Sequence, residues 1–162
     1  MTTQNNPQLL DAQIVDVTFG RNVRVVQPVN LYDCSIGDEC FIGPFVEIQG
    51  NVVIGTRSRI QSHSFVCSLV TIGDDCFIGH GVMFINDKFS SEGPNYNSDC
   101  WQACSLGNKV SIGSNSTILP VSICDRVIIG AGSVVTKDIT QAGIYAGNPA
   151  KFLRPIADEN NQ

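Results

Sequence analysis

Between Ile36 and Phe84 a large apolar residue occupies every sixth position: Ile36, Ile42, Ile48, Ile54, Ile60, Val66, Ile72, Ile78 and Phe84. Four places after the large residue comes a smaller one: Cys40, Val46, Val52, Ser58, Ser64, Val70, Cys76 and Val82. Glycine recurs directly behind the large residue, as at Gly37, Gly43, Gly55, Gly73 and Gly79, where a Cβ would crowd the turn. A period of six is neither that of an α-helix nor the alternation of a half-buried strand. It fits a parallel β-helix, in which each hexad is a short strand plus a turn and three hexads close one coil. The large residue then points into a three-sided column and stacks on its equivalent one coil away, ~4.8 Å apart. Burying each such side chain contributes roughly 1.5–3 kcal/mol. A lone coil cannot hide its apolar face, so stability comes from the stack.

The period lapses and then resumes at Leu106, Ile112, Ile118, Ile123, Ile129 and Val135, with one tightened corner between Ile118 and Ile123. Upstream, Leu31, Val25, Phe19 and Ile14 continue it with five- and six-residue steps. The predicted fold class is all-β: a parallel β-helix of hexapeptide repeats with one inserted loop. The pattern divides the chain into a polar tail over 1–12, a β-helix domain over 13–152 with an excursion over 86–105, and a tail over 153–162. The column itself is expected to run from about Gln13 to Ile139. Both tails are expected to be mobile.

Composition narrows the function. The chain has 162 residues, which suits one domain. It contains no apolar run long enough to span a bilayer and no basic-then-apolar leader, so the expectation is a cytoplasmic protein without a membrane partner. A net charge of −5 speaks against nucleic acid. The seven cysteines are odd in number and form no CxxC; Cys40 and Cys76 take the small interior position and read as compact fillers of a reduced protein. Cys100 and Cys104 fall in the excursion, where a surface-loop role is expected rather than metal. A zinc site of three histidines is excluded because only two histidines exist, and no metal is expected. Lys109 and Arg126 share a slot one coil apart; with Lys137, Lys151 and Arg154 they suggest a basic ridge suited to a phosphorylated ligand.

The excursion is long for a compact domain, which favours a functional loop. It carries Trp101, Phe89 and Tyr96, which either pack the loop down or form a platform for a ring. At its start stand Asn86 and Asp87, and Asn86 shares a slot with Ser68. His63 and His80 lie on adjacent coils at a different corner. Two corners are about one strand apart, ~10–15 Å, so the histidines and the Asn86–Asp87 pair would meet across a subunit interface rather than within one chain. Val25, Val26, Phe41, Val53 and Phe65 occupy slots beside the repeat that need not face inward, and a three-sided column suits a cyclic trimer.

The segment Ile129-Gly-Ala-Gly-Ser-Val-Val-Thr-Lys-Asp138 followed by Ala146-Gly-Asn-Pro-Ala-Lys151 resembles the C-terminal end of hexapeptide-repeat acyltransferases. Ile60-Gln-Ser-His-Ser-Phe65 and Gly79-His-Gly-Val-Met-Phe-Ile-Asn-Asp87 resemble sugar-nucleotide N-acetyltransferases, in particular those acting on dTDP-3-amino-3,6-dideoxyhexoses. The resemblance implies a left-handed winding, a homotrimer with active sites between subunits, and acetyl-CoA as co-substrate. It implies contacts to coenzyme A from Ser114, Ala131, Thr136, Lys137, Lys151 and Arg154. It also implies that Asn86 and Asp87 handle the acceptor amine, and a place in lipopolysaccharide biosynthesis. Where those relatives carry a glutamate one coil below the pair, this chain has Ser68, which leaves the identity of the sugar open.

The expected reaction is acetyl transfer to the amino group, at C3, of a nucleotide-linked amino-deoxysugar. A sugar hydroxyl needs a general base, whereas an amine of pKa near 7.7–8.0 is partly neutral at pH 7. Asp87 and the Asn86 carbonyl would orient the amine; either the departing thiolate takes the proton, or His63 or His80 from a neighbouring subunit serves as base. A UDP-linked 3-amino sugar acid is the alternative acceptor, and a non-catalytic structural β-helix is the alternative class.

Overall fold

The computed structural model describes residues 11–89 and 93–157, and within them nearly every regular element is a two- to four-residue strand. The strands form three sheets, one per face of a left-handed parallel β-helix of about seven coils. Face 1 begins with Ile14–Val15 and ends with Val134–Val135; face 2 runs from Thr18–Phe19 to Ser122–Ile123; face 3 runs from Arg24–Val25 to Lys151–Arg154. The predicted stacking is the observed register. Ile42, Ile60, Ile78, Ile112 and Ile129 lie one above another on face 3. Ile36, Ile54, Ile72, Leu106 and Ile123 do so on face 2. From Ile36 to Phe84 all the large hexad residues and all the small ones four places on are buried, Ser58 and Ser64 included; at the N-terminal end Ile14 and Phe19 are exposed at 41% and 39%. Those two hydroxyls donate to the Gly73 and Gly79 carbonyls at 2.9 and 2.8 Å, so the interior carries no orphaned polar side chain among the described residues.

Most corners turn on a residue of positive φ. The edge between faces 1 and 2 uses Asp16, Asp33, Asn51 and Leu69; the edge between faces 2 and 3 uses Asn22, Glu39, Arg57, Asp75, Lys109 and Arg126. The edge between faces 3 and 1 uses Phe45, His63, Gly81, Asn115 and Gly132. The excursion leaves the column on the edge between faces 1 and 2, where the fifth coil would have turned.

Two boundaries differ from the sequence expectation. The excursion spans 85–103 rather than 86–105, because Cys104–Leu106 is already a strand paired with Val70–Ile72. Cys104 is therefore a buried core residue, 2% exposed, and burial pushes its thiol up to about 11; only Cys100 of the pair is an exposed loop residue. The column also continues past Ile139: Gly143–Ala146 adds a parallel strand beside Val127–Ile129, and Lys151–Arg154 folds back antiparallel to it. The hexad pattern hid this last turn because Tyr145, not an aliphatic residue, lies against Ile129. The tails expected to be mobile, at 1–10 and 158–162, lie outside the described residues. Of the five outward candidates, Val26 and Val53 are exposed at 43% and 49%, and Val25, Phe41 and Phe65 are partly buried.

Candidate active site

The edge between faces 3 and 1 gathers several of the predicted residues. Its register places Pro44, Ser62, His80, Ser114 and Ala131 in one slot on successive coils. His80 is exposed, its Nδ1 lies 2.8 Å from Ser62 Oγ, and its backbone N–H donates to Ser114 Oγ at 3.2 Å. The contact on Nδ1 leaves Nε2 as the outward ring nitrogen. His63 occupies the neighbouring slot one coil below, its ring 4.9 Å from that of Phe45. In the neighbouring slot, one coil above Asn115, the surface opens: a Cβ built on Gly132 would meet nothing within 4 Å. The strands pack tightly beneath it, since a Cβ on Gly79 would approach the Ile112 carbonyl and the Ser114 nitrogen to 2.7 Å. Small side chains and open space thus line the C-terminal half of this edge.

The four-residue turn after Ala146 closes on the same corner. Val134 N–H donates to the Gly147 carbonyl at 2.9 Å and Ala150 N–H to the Val134 carbonyl at 2.8 Å, which brings Lys151 opposite Ala146 at the end of the edge. The other predicted cations do not join it. Arg154 pairs with Ile144 further along face 3, about 10 Å from Lys151 by strand rise. Thr136 and Lys137 follow Val135 on the far side of face 1, and Lys109 and Arg126 sit on the edge between faces 2 and 3. One protomer therefore presents Ser114, Ala131 and Lys151 together, with Thr136 and Lys137 across a face.

Asn86 and Asp87 stand on the third edge, as the slot spacing predicted. The Asn86 side-chain amide donates to the Ser68 carbonyl at 3.4 Å through Nδ2, which leaves Oδ1 as an acceptor. Ser68 itself donates to Gln49 Oε1 at 3.4 Å through its hydroxyl. Asp87 does more than the sequence indicated. Its carboxylate accepts from Asn95 N–H and Asn95 Nδ2, both at 2.6 Å, and from Phe89 N–H at 2.9 Å. These donors, the Asn95 N–H first, hold its pKa below the ordinary aspartate value. Trp101 Nε1 donates to the Asn95 carbonyl at 3.0 Å and Gln102 N–H to the Asn86 carbonyl at 2.8 Å, so the base of the excursion is tied down. Trp101 therefore packs the loop, whereas Phe89 and Tyr96 are outward, 61% and 95% exposed.

Sequence reasoning missed Ser62, Asn95 and Phe45. Ser62 and Phe45 carried a usable signal, because each shares a hexad slot with a histidine or a neighbour of one. Asn95 carried none, since the loop has no period. Among the described residues no three His, Cys, Asp or Glu side chains converge on a metal-sized site.

The comparisons with known proteins agree with this architecture. The family described as bacterial transferase hexapeptide (six repeats) matches residues 33–68, and the hexapeptide repeat of succinyl-transferase matches 69–83 and 104–137. The gap between the matches is the excursion. This chain belongs to the hexapeptide-repeat transferases. Among curated relatives, the galactoside O-acetyltransferase of Escherichia coli is 37% identical over 137 residues, covering 78% of this chain and 66% of its own. The bifunctional protein GlmU of Heliobacterium modesticaldum is 32% identical over 146 residues, covering 78% of this chain. This chain spans only 29% of that relative's length. A solved structure of a mutant of AntD, an N-acyltransferase from Bacillus cereus in complex with dTDP and coenzyme A, superimposes with a TM-score of 0.75 at 25% identity, covering 85% of this chain and 83% of that one.

Proposed function

We propose that this protein is an acetyl-CoA-dependent N-acetyltransferase acting on the amino group, at C3, of a nucleotide-linked amino-deoxysugar such as a dTDP-3-amino-3,6-dideoxyhexose. The observation that carries the reading is the Asn86–Asp87 pair at the base of a tied-down excursion. Its free Asn86 Oδ1 and its low-pKa carboxylate are acceptors suited to an amine that becomes cationic. Likeness to AntD, solved with dTDP and coenzyme A, supports the same class.

Acetyl-CoA supplies an activated acetyl group, and the small, open edge at Ser114, Ala131 and Gly132 suits its pantetheine arm, with Lys151 beside the phosphates. Thr136, Lys137 and Arg154 then contact it from an adjoining copy or from the tail. In the reaction the neutral amine attacks the thioester carbonyl carbon, a C–N bond forms, and the C–S bond breaks to release the thiolate. Asp87, held ionised by its donors, is a poor proton acceptor and stabilises the developing ammonium instead. His80, oriented by Ser62, takes the proton on Nε2 and passes it to the departing thiolate; His63, one coil below, is the lesser candidate. Asn86 and Asp87 lie on a different edge from His80, so the site is completed by a second copy, and a cyclic homotrimer suits the three-sided column. Ser68 lines the acceptor side next to Asn86.

A second reading is supported by the Ser62–His80 contact and by the likeness to galactoside O-acetyltransferase: transfer to a sugar hydroxyl with His80 as base. Mass spectrometry after incubation with acetyl-CoA and a panel of dTDP-, UDP- and GDP-linked amino sugars and their hydroxyl analogues separates the two. The proposal expects one acetyl gained on the amino sugar, in alkali-stable amide form. An alkali-labile ester, or acetylation of the hydroxyl analogues alone, would transfer the function to the second reading. Comparing dTDP with UDP sugars in the same panel decides the nucleotide.

A further inference from the structure

The neck of the excursion holds a charged group whose bonding is almost complete. Asp87 Oδ1 accepts from Phe89 N–H at 2.9 Å and from Asn95 Nδ2 at 2.6 Å, while Oδ2 accepts from Asn95 N–H at 2.6 Å. An ionised carboxylate offers about four lone-pair sites, two on each oxygen. Among the described residues these donors fill Oδ1 and half of Oδ2, so the open site is on Oδ2. A carboxylate only accepts, which obliges the Asn95 amide to turn its nitrogen, not its oxygen, toward Asp87. Asn95 alone supplies two of the three bonds.

Asn95 is itself braced. Its carbonyl accepts from Trp101 Nε1 at 3.0 Å, and Asn97, two residues on, caps the 3₁₀ turn over Ser98–Cys100 by accepting from Asp99 N–H at 3.1 Å. The terminal torsion of an aspartate is broad on its own; tied to a braced amide on both oxygens, this carboxylate has one orientation. The column does not need the tie. Met83–Phe84 and Cys104–Leu106, the strands on either side of the excursion, keep their own ladder partners.

The open sites determine which nucleophile fits. Asn86 turns Nδ2 to the Ser68 carbonyl and keeps Oδ1 as an acceptor. Together with Asp87 Oδ2, the pair offers an acceptor from each residue. A neutral amine brings two N–H groups, satisfies both acceptors and keeps its lone pair for the thioester carbon. A hydroxyl brings one O–H, so one acceptor faces oxygen lone pairs instead. Polar groups left unpaired in this way are the strongest source of discrimination between close analogues. Without the Asn95 side chain, Oδ1 regains a lone pair and the carboxylate is free to turn, so a hydroxyl is accepted from more than one direction.

We infer that Asn95 is a positioning residue that makes the acceptor side selective for an amine over a hydroxyl: it occupies Asp87 Oδ1, fixes the carboxylate, and leaves Oδ2 to act with Asn86 Oδ1. The inference rests on the amino-sugar reading proposed above and adds the residue that enforces it. Asn95 acts through Asp87.

Paired assays of the full-length protein with a nucleotide amino sugar and its hydroxyl analogue test this. The wild type is expected to favour the amine by at least about 10²-fold in kcat/KM. The change in that ratio between variants separates the site from the intrinsic difference between the two nucleophiles. Asn95→Ala should lower kcat/KM for the amine at least about tenfold and shrink the ratio by a similar factor. Asn95→Asp keeps the shape but sets a second carboxylate against the first, and should lose at least as much. In an Asp87→Ala background, Asn95→Ala should cost less than about a further twofold, because its target is gone. Coenzyme A affinity and the emission of Trp101, the chain's single tryptophan, should stay at wild-type values in both single variants. The inference fails if amine and hydroxyl activities fall in equal proportion, or if the losses add fully in the Asp87→Ala background; either result makes Asn95 a brace for the loop. It fails equally if Trp101 emission shifts in Asn95→Ala while Asn95→Asp keeps the wild-type ratio. A wild type that acetylates the hydroxyl analogue alone would defeat the amino-sugar reading itself.

Discussion

Two edges of the column share one backbone and differ in what they do with their side chains. On the edge between faces 2 and 3, Asp38, Asp74, Asn108 and Asp125 each accept a backbone N–H from the coil below, at 2.7–2.8 Å. Arg21 pairs with Asp38 and Arg57 with Asp75, both at 2.7 Å. On the edge between faces 3 and 1 the equivalent slot holds Pro44, Ser62, His80, Ser114 and Ala131, and the only side-chain bonds among them converge on His80. The left-handed corner needs a residue that tolerates positive φ; it does not dictate a side chain. One edge spends its polar groups on itself and is structural. The other uses few side-chain bonds and keeps Phe45, His63 and His80 exposed, which is what a ligand-binding edge requires.

That contrast breaks first if the shared interior is damaged. Ile78→Ala removes a fully buried side chain beneath both edges and should cost about 2–5 kcal/mol in denaturant unfolding. The contrast sharpens with His80→Asn, expected to lower kcat by about 10²-fold while leaving the melting temperature and coenzyme A affinity near wild type. Small losses for both His80→Asn and His63→Asn would instead favour a base-free reaction in which the thiolate takes the proton directly. Asn86→Ala or Asp87→Ala should lower kcat/KM at least about tenfold, close to 1.4 kcal/mol of transition-state stabilisation, with coenzyme A affinity intact. Unchanged turnover in both would remove the pair from the mechanism.

Asp87 adds a pH dependence. Its folded pKa lies below the ordinary aspartate value, so its contribution to loop order is present above that ordinary value and is lost as pH falls through the depressed one. Amide exchange at Asn95 and Phe89 should therefore accelerate in acid, below about pH 4, before the column amides do. Acid-insensitive exchange there would mean that the carboxylate is not the clamp. The smallest effect belongs to the structural edge: a double-mutant cycle on Arg57 and Asp75 should give about 0.2–1 kcal/mol and no change in turnover, because both side chains are solvent-accessible. A turnover loss matching that of His80→Asn would erase the distinction between the edges.

The column was legible because its physics is periodic. Ile36 to Phe84 announced which side chains are buried, and the slot four places on announced the small ones, cysteines included. Legibility ended where the period did. Cys104 was read as loop because the hexads were counted from Leu106, whereas the strand begins two residues earlier to pair with Val70. The cations read as one ridge are split among edges, since sharing a slot fixes an edge for Lys109 and Arg126 but says nothing of Lys137, Lys151 and Arg154. The place of Asn86 over Ser68 followed from an eighteen-residue spacing, while the clamp of Asp87 on Asn95 depends on loop geometry that no spacing encodes. Phe45 was overlooked although it shares its slot with His63, because an exposed aromatic at a positive-φ corner is invisible to a search for buried positions.

The central claim is that one copy's edge between faces 3 and 1 meets the next copy's excursion to form each site. Co-assembly of His80→Asn chains with Asp87→Asn chains tests this most directly, with acetyl transfer to the nucleotide amino sugar as the readout. Each variant alone should be nearly inactive, and mixed assemblies should regain a clear fraction of wild-type turnover, because some interfaces then pair an intact His80 with an intact Asp87. Mixed assemblies no more active than their parents would contradict the account and return the two residues to separate roles.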